Sequence, residues 1–141
     1  MKFFLLENKF YSDYSNCPEI LIKMNRPYVV FLINLNNLTF AVPLRSHITH
    51  KYSMITIGNR GLDFSKAVVI NDRQRYISRK KAYIDSREYQ IIMNQQWKIT
   101  KKMISYINKY KKALKDTSIR ENKILCDSSS LQYFHAELGI K

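Results

Sequence analysis

Cysteine is scarce in this chain, and the two that occur, Cys17 and Cys126, lie far apart with no CxxC pair and no His and Cys cluster beside them. Such spacing suggests neither a zinc framework nor a disulfide scaffold, so both thiols are expected to be free. Long apolar runs are missing too. The opening Met1-Lys-Phe-Phe-Leu-Leu-Glu7 has a charge followed by four apolar residues, too short for the hydrophobic stretch of a signal peptide, and no segment approaches about 18 apolar residues. The expectation is a soluble, cytoplasmic protein with no membrane partner. Internal repeats and low-complexity tracts are also lacking. Acidic residues are few: 11 Asp and Glu stand against 24 Lys and Arg, a net charge of +13.

That imbalance is the footprint of a polyanionic partner, nucleic acid first. With 141 residues and 45% hydrophobic content the chain can bury one sizeable core, and residues 1–141 are read as a single domain. Ten Tyr, seven Phe and one Trp serve mostly that core, although RNA-binding surfaces also stack bases on such rings.

The densest chemistry lies in Phe40-Ala-Val-Pro-Leu-Arg-Ser-His-Ile-Thr-His-Lys51, where an apolar strand runs directly into Arg45, Ser46, His47, Thr49, His50 and Lys51. Arg and Lys bring charge to phosphate oxygens, Ser and Thr bring hydroxyl donors, and His exchanges protons near neutrality. The set suits RNA cleavage that needs no metal and no cofactor. A base removes the 2′-OH proton, an acid protonates the leaving 5′-oxygen, and cations with hydroxyls stabilise the pentacoordinate phosphate. A basic loop after a strand is also the ordinary form of a solvated connection. A non-catalytic RNA-binding protein that only grips phosphate therefore stands beside the nuclease. His47 and His50 have no third ligand at a workable spacing, so a metal site is not expected. His135, in the tail, is read as structural.

The hydrophobic pattern divides the chain into a strand-rich first half and a helical, Lys-rich second half. Phe3 to Leu6 reads as a strand and Glu7 to Ser15 as a short helix or turn. Arg26 to Asn34 and Leu38 to Val42 read as a hairpin about a tight turn at Asn36-Asn37, with Pro27 near the strand start. Tyr52 to Ile57 and Ser65 to Ile70 read as strands separated by a break at Gly58-Asn-Arg-Gly61, and a shorter strand is expected around Arg75 to Ser78. Many short strands in so few residues predict an α+β fold with a small antiparallel β-barrel, closed or half-open. A helix is expected from Asp85, capped by Asp85 or Ser86. A long basic amphipathic helix follows, with Ile99, Met103, Tyr106, Ile107, Tyr110 and Leu114 on one stripe and Lys98, Lys101, Lys102, Lys109, Lys112 and Lys115 on the other. That Lys face reads either as a solvated surface or as an RNA contact. The tail from Ser128 to Leu138 reads as a last short helix.

The order of an Arg-Pro-Tyr strand start, an apolar hairpin, Ala41-Val-Pro-Leu44, a Ser-containing basic loop, Gly61-Leu-Asp-Phe-Ser-Lys-Ala67 and a Lys-rich helix resembles the ToxN superfamily. These are the endoribonuclease toxins of type III toxin–antitoxin systems, among them ToxN, AbiQ, CptN and TenpN, and the resemblance runs from Met1 to about Leu114. It implies a compact β-barrel core related to the MazF and Kid toxins, with peripheral helices. It implies metal-free cleavage that leaves a 2′,3′-cyclic phosphate. The partners it implies are cellular or phage RNA as substrate and a small repeat RNA antitoxin, often a pseudoknot, which the toxin trims and holds in a closed protein–RNA assembly.

The family's catalytic loop usually reads Pro-Leu-Ser/Thr-Ser-Pro-Lys. By position, its first hydroxyl is replaced here by Arg45, its Ser is kept as Ser46, its Pro is His47 and its Lys is Ile48. The positive group for the transition state then falls to Arg45 or Lys51, and proton transfer to His47 or His50. Lys23-Met-Asn-Arg-Pro-Tyr28 stands where some members carry a Tyr and a Lys, which makes Lys23, Arg26 and Tyr28 candidates for phosphate or ribose contacts. Lys66 is a candidate for the same cleft, and Lys98, Lys102 and Lys109 for RNA binding. Each has a plain alternative: Tyr28 a half-buried strand residue, Ser46 a turn residue bonding backbone, Lys66 a solvated lysine.

Overall fold

The computed structural model describes residues 2–21 and 28–141. Its elements are β1 (Phe3–Leu5), α1 (Asn8–Asp13), β2 (Val29–Leu35), β3 (Leu38–Arg45), β4 (Ser53–Ile57), β5 (Arg60–Asp63), β6 (Val68–Val69), α2 (Arg73–Tyr76), α3 (Ser86–Asn94), α4 (Gln96–Leu114) and α5 (Arg120–Ser128), with 3-10 turns at Phe64–Lys66 and Ser130–Tyr133. The fold is α+β. Its strands run β1-β2-β3-β5-β4, all antiparallel, with β6 also on β3.

The β2–β3 hairpin is the frame. Asn36 and Asn37 both take positive φ, 49° and 65°, the backbone that a two-residue turn matched to strand twist demands and that Asn tolerates. The other edge of β3 is divided: Phe40 and Ala41 pair with β6, whereas Leu44 and Arg45 pair with β5. The Thr39 carbonyl accepts from the Ile70 N–H, so by alternation the backbone groups of Pro43 point to this same edge, at the gap between β6 and β5. A residue with no N–H is placed where no strand stands to receive one.

The expected barrel is corrected here. Among the described residues β1 and β4 end the sheet without pairing, and β1 turns its outer edge to an isolated bridge between Leu6 and Ile77. The sheet stays open because β5 and β6 are short and share one strand edge. The strand expected around Arg75 to Ser78 is replaced as well. Asp72 accepts from the Arg75 N–H and caps the single turn α2, leaving only Ile77 to bridge. The break at Gly58–Gly61 is shorter than expected. Gly58, at φ +60°, makes the turn, while Gly61 lies inside β5. The expected strand from Ser65 is cut to Val68–Val69 because the Asp63 carboxylate accepts from the Ser65 N–H and folds the 3-10 turn.

Helix α3 begins at Asp85, whose carboxylate accepts from the Arg87 and Glu88 N–H groups. Helix α4 buries Ile99, Met103, Tyr106, Tyr110 and Ala113 in the core, meeting α5, α3 and the Phe64–Lys66 turn, each large side chain contributing about 1.5–3 kcal/mol. Ile107 and Leu114 pack at its margin. The tail also differs from expectation: α5 was not anticipated, and past it Ser129 caps a 3-10 turn. The thiols of Cys17 and Cys126 are free. Among the described residues no helix is long and apolar enough to cross a membrane.

Candidate functional site

The β3–β5 ladder sets Arg45 opposite Gly61, two residues before Asp63 on the same face of β5. Glycine is required at 61, since a Cβ there would lie 2.1 Å from the Met54 carbonyl oxygen of β4. Arg45 Nη1 reaches Asp63 Oδ2 at 2.7 Å. The other oxygen, Oδ1, accepts from the Ser65 N–H at 3.0 Å and the Ser65 hydroxyl at 2.6 Å, and lies 3.2 Å from His50 Nε2. Asp63 is fully buried, and a carboxylate withdrawn from water needs such a complete set of donors. His50 Nδ1 accepts from the Tyr52 N–H at 3.1 Å. The neutral imidazole therefore carries its proton on Nε2, facing Asp63.

Arg45 borders an open cleft of about 360 Å³ with Tyr28, Ser46, Arg60, Tyr83 and Glu88. The guanidinium has five N–H donors, and the bond to Asp63 leaves others for a ligand. Glu88 of α3 is buried, accepting from the Thr56 hydroxyl at 2.7 Å and lying 3.7 Å from Arg60 Nη1. Behind the cleft, the Phe64–Lys66 turn is clamped from the tail. The Ser130 hydroxyl bonds the Ser65 carbonyl at 3.1 Å and also reaches that of Ala67, and Lys66 Nζ donates to the Ser128 carbonyl at 2.8 Å. Burial, with Arg45 nearby, holds the Lys66 ammonium below the usual lysine pKa against the opposing pull of Asp63.

The structure thus brings Tyr28, Arg45 and Ser46 together and sets His50 behind them through Asp63. Lys66 lies with Tyr28 and Pro43 in a narrow apolar crevice instead of the cleft. His47 is exposed at φ +58°, its Nδ1 3.3 Å from Asn59 Nδ2, and it is not among the cleft residues. Lys51 faces a separate pocket together with Lys102 and Lys109. Lys98 is exposed and borders neither cavity. Lys23 and Arg26 lie outside the described residues. His135 bonds the Tyr110 hydroxyl at 2.6 Å.

Asp63, Arg60 and Glu88 escaped the sequence reading. Asp63 left one signal, an acid two residues before a Ser within an otherwise apolar run, which is the pattern of a side chain bonding its own backbone. Glu88 left none, because a Glu in the first turn of a helix ordinarily faces water. Among the described residues no three His, Cys, Asp or Glu side chains group as a metal site. No family model, no curated protein and no solved structure matches the chain.

Proposed function

We propose that this chain is a metal-independent endoribonuclease, the toxin of a type III toxin–antitoxin pair restrained by a small repeat RNA. One observation carries the catalytic part: Tyr28, Arg45 and Ser46, from two separate segments, line a single open cleft in which the guanidinium is anchored by a fully buried carboxylate. A fixed cation with two hydroxyls beside it is preorganised for a phosphate that gains charge as the 2′-oxygen attacks. In this reading the 2′-oxygen bonds to phosphorus as it loses its proton, the phosphorus–5′-oxygen bond breaks, the 5′-oxygen takes a proton from solvent water in the open cleft and leaves as a hydroxyl, and a 2′,3′-cyclic phosphate remains. Glu88 is the cleft carboxylate not committed to a helix cap, and it takes the 2′-OH proton. The toxin identity and the RNA antitoxin rest on the sequence resemblance, and the charge of +13 supports an RNA partner.

Purified protein incubated with RNA in excess EDTA tests the proposal. It should cut at preferred sites and leave ends that carry a cyclic phosphate. Retarded migration of intact RNA, without cleavage, would replace the nuclease by a phosphate-gripping RNA-binding protein.

A further inference from the structure

A second pocket of about 210 Å³ is walled by Lys51, Tyr52, Lys102, Ser105, Tyr106 and Lys109. Lys51 Nζ and Lys109 Nζ each stand 5.5 Å from the Tyr52 ring centre, where the ring quadrupole attracts an ammonium. The Tyr52 ring is itself backed by Tyr106 at 5.6 Å, whose hydroxyl donates to Ser129 Oγ at 2.6 Å. The Tyr52 ring is thereby held against the fold, with two of the three ammonium groups beside it. No carboxylate lines the pocket, and none of the three lysines has an ion pair among the described residues. Ser105 adds a further hydroxyl to the wall.

Three ammonium groups on one pocket attract a dianion about twice as strongly as a monoanion in the same place, because Coulomb attraction scales with the ligand's charge. A phosphate monoester carries about −1.5 to −2 at neutral pH and offers three strong acceptor oxygens, whereas an internal phosphodiester carries a single charge. We infer that this pocket binds a phosphate monoester, the group borne by a terminally phosphorylated RNA strand, so that the protein distinguishes phosphorylated RNA ends from internal backbone. The RNA source of the group rests on the nuclease reading above. The pocket chemistry does not.

Binding is measured with 2′-O-methyl oligonucleotides, which cannot be cut because the attacking hydroxyl is blocked. The strands are identical except for a 5′-phosphate, a 3′-phosphate or neither. One of the phosphorylated strands should bind about tenfold more tightly than the bare one, the worth of about one charge-assisted hydrogen bond. That preference should fade below about pH 6, where the monoester gains a proton, and vanish in a Lys102→Gln, Lys109→Gln double variant. Equal affinity for all three strands, or a full preference in the double variant, overturns the site while leaving RNA binding intact. If no strand binds, both the RNA reading and this one fail. Adenosine 5′-monophosphate binding as tightly as the phosphorylated strand would assign the pocket to a free nucleotide and overturn the RNA end.

Discussion

Arg45 and Asp63 meet across adjacent strands at 2.7 Å, the carboxylate wholly buried and the arginine side chain still 27% exposed. One partner is an anchor and the other is a working surface. Removing either leaves the remaining group in a network built for two, so their effects should not add. In urea unfolding of Arg45→Ala, Asp63→Asn and the double variant, the coupling is expected at about 1–3 kcal/mol. Asp63→Asn should also slow RNA cleavage by about tenfold or more, because the guanidinium loses its fixed position. Additive stabilities with full activity in Asp63→Asn would reduce the pair to an incidental contact.

The two loop histidines should behave differently. Both ring nitrogens of His50 are engaged, one by the Tyr52 N–H and one by Asp63, which makes it a positioning residue. His50→Ala should lower both the unfolding midpoint and the cleavage rate. His47→Ala should leave the rate within about a factor of two, given that proton transfer requires hydrogen-bond reach. Loss of cleavage in His47→Ala alone would move the proton acceptor out of the cleft.

Gly61→Ala should prevent folding. The added Cβ would meet the Met54 carbonyl oxygen at 2.1 Å, and this oxygen belongs to paired backbone that cannot swing aside. Overpacking ordinarily costs about 1–3 kcal/mol, and a backbone collision should reach or pass the upper end. The readout is soluble yield and thermal unfolding; a stable Gly61→Ala protein would show that β4 and β5 separate at no cost.

Alkali should unfold the protein over a defined range. Burial pushes the hydroxyls of Tyr11 and Tyr110 up to about 12 and raises that of Tyr106 as well. Unfolded tyrosines release their protons near pH 10. Above that pH the folded chain holds more protons than the unfolded one, so stability falls as pH rises. The contribution is complete below pH 10 and is lost between about 10 and 12. Far-ultraviolet dichroism should be lost together with the last tyrosinate absorbance to appear, and full ionisation of the tyrosines with the fold intact would contradict the burial of Tyr11, Tyr106 and Tyr110.

The parts of this fold that were legible in the sequence depend on neighbouring residues. Asn36-Asn37 announced a two-residue turn because few residue pairs accept positive φ twice, and the spacing of Ile99, Met103, Tyr106 and Tyr110 announced the buried stripe of α4. The site was half legible. Arg45, Ser46 and Tyr28 carry chemistry by type, and they do share a cleft. Asp63 and Glu88 were missed because a buried acid is defined by what surrounds it, and its partners come from other strands and helices. Open or closed, the sheet was beyond periodicity too, since closure depends on whether β1 and β4 pair. Helix α5 was missed for want of apolar residues: it buries only Leu125 and Cys126.

The clamp between Ser130 and Ser65 spans 65 positions along the chain, and this separation orders events during synthesis. The β2–β3 hairpin closes through two residues and can form as soon as it emerges, whereas the turn bearing Asp63 and Ser65 waits for a segment translated much later, and closing so long a loop costs more chain entropy. A nascent chain would therefore carry Arg45 and Ser46 well before the support behind them is locked. If the protein cuts RNA, that delay separates the birth of the polypeptide from the onset of its activity, at the time when its own messenger is the nearest RNA.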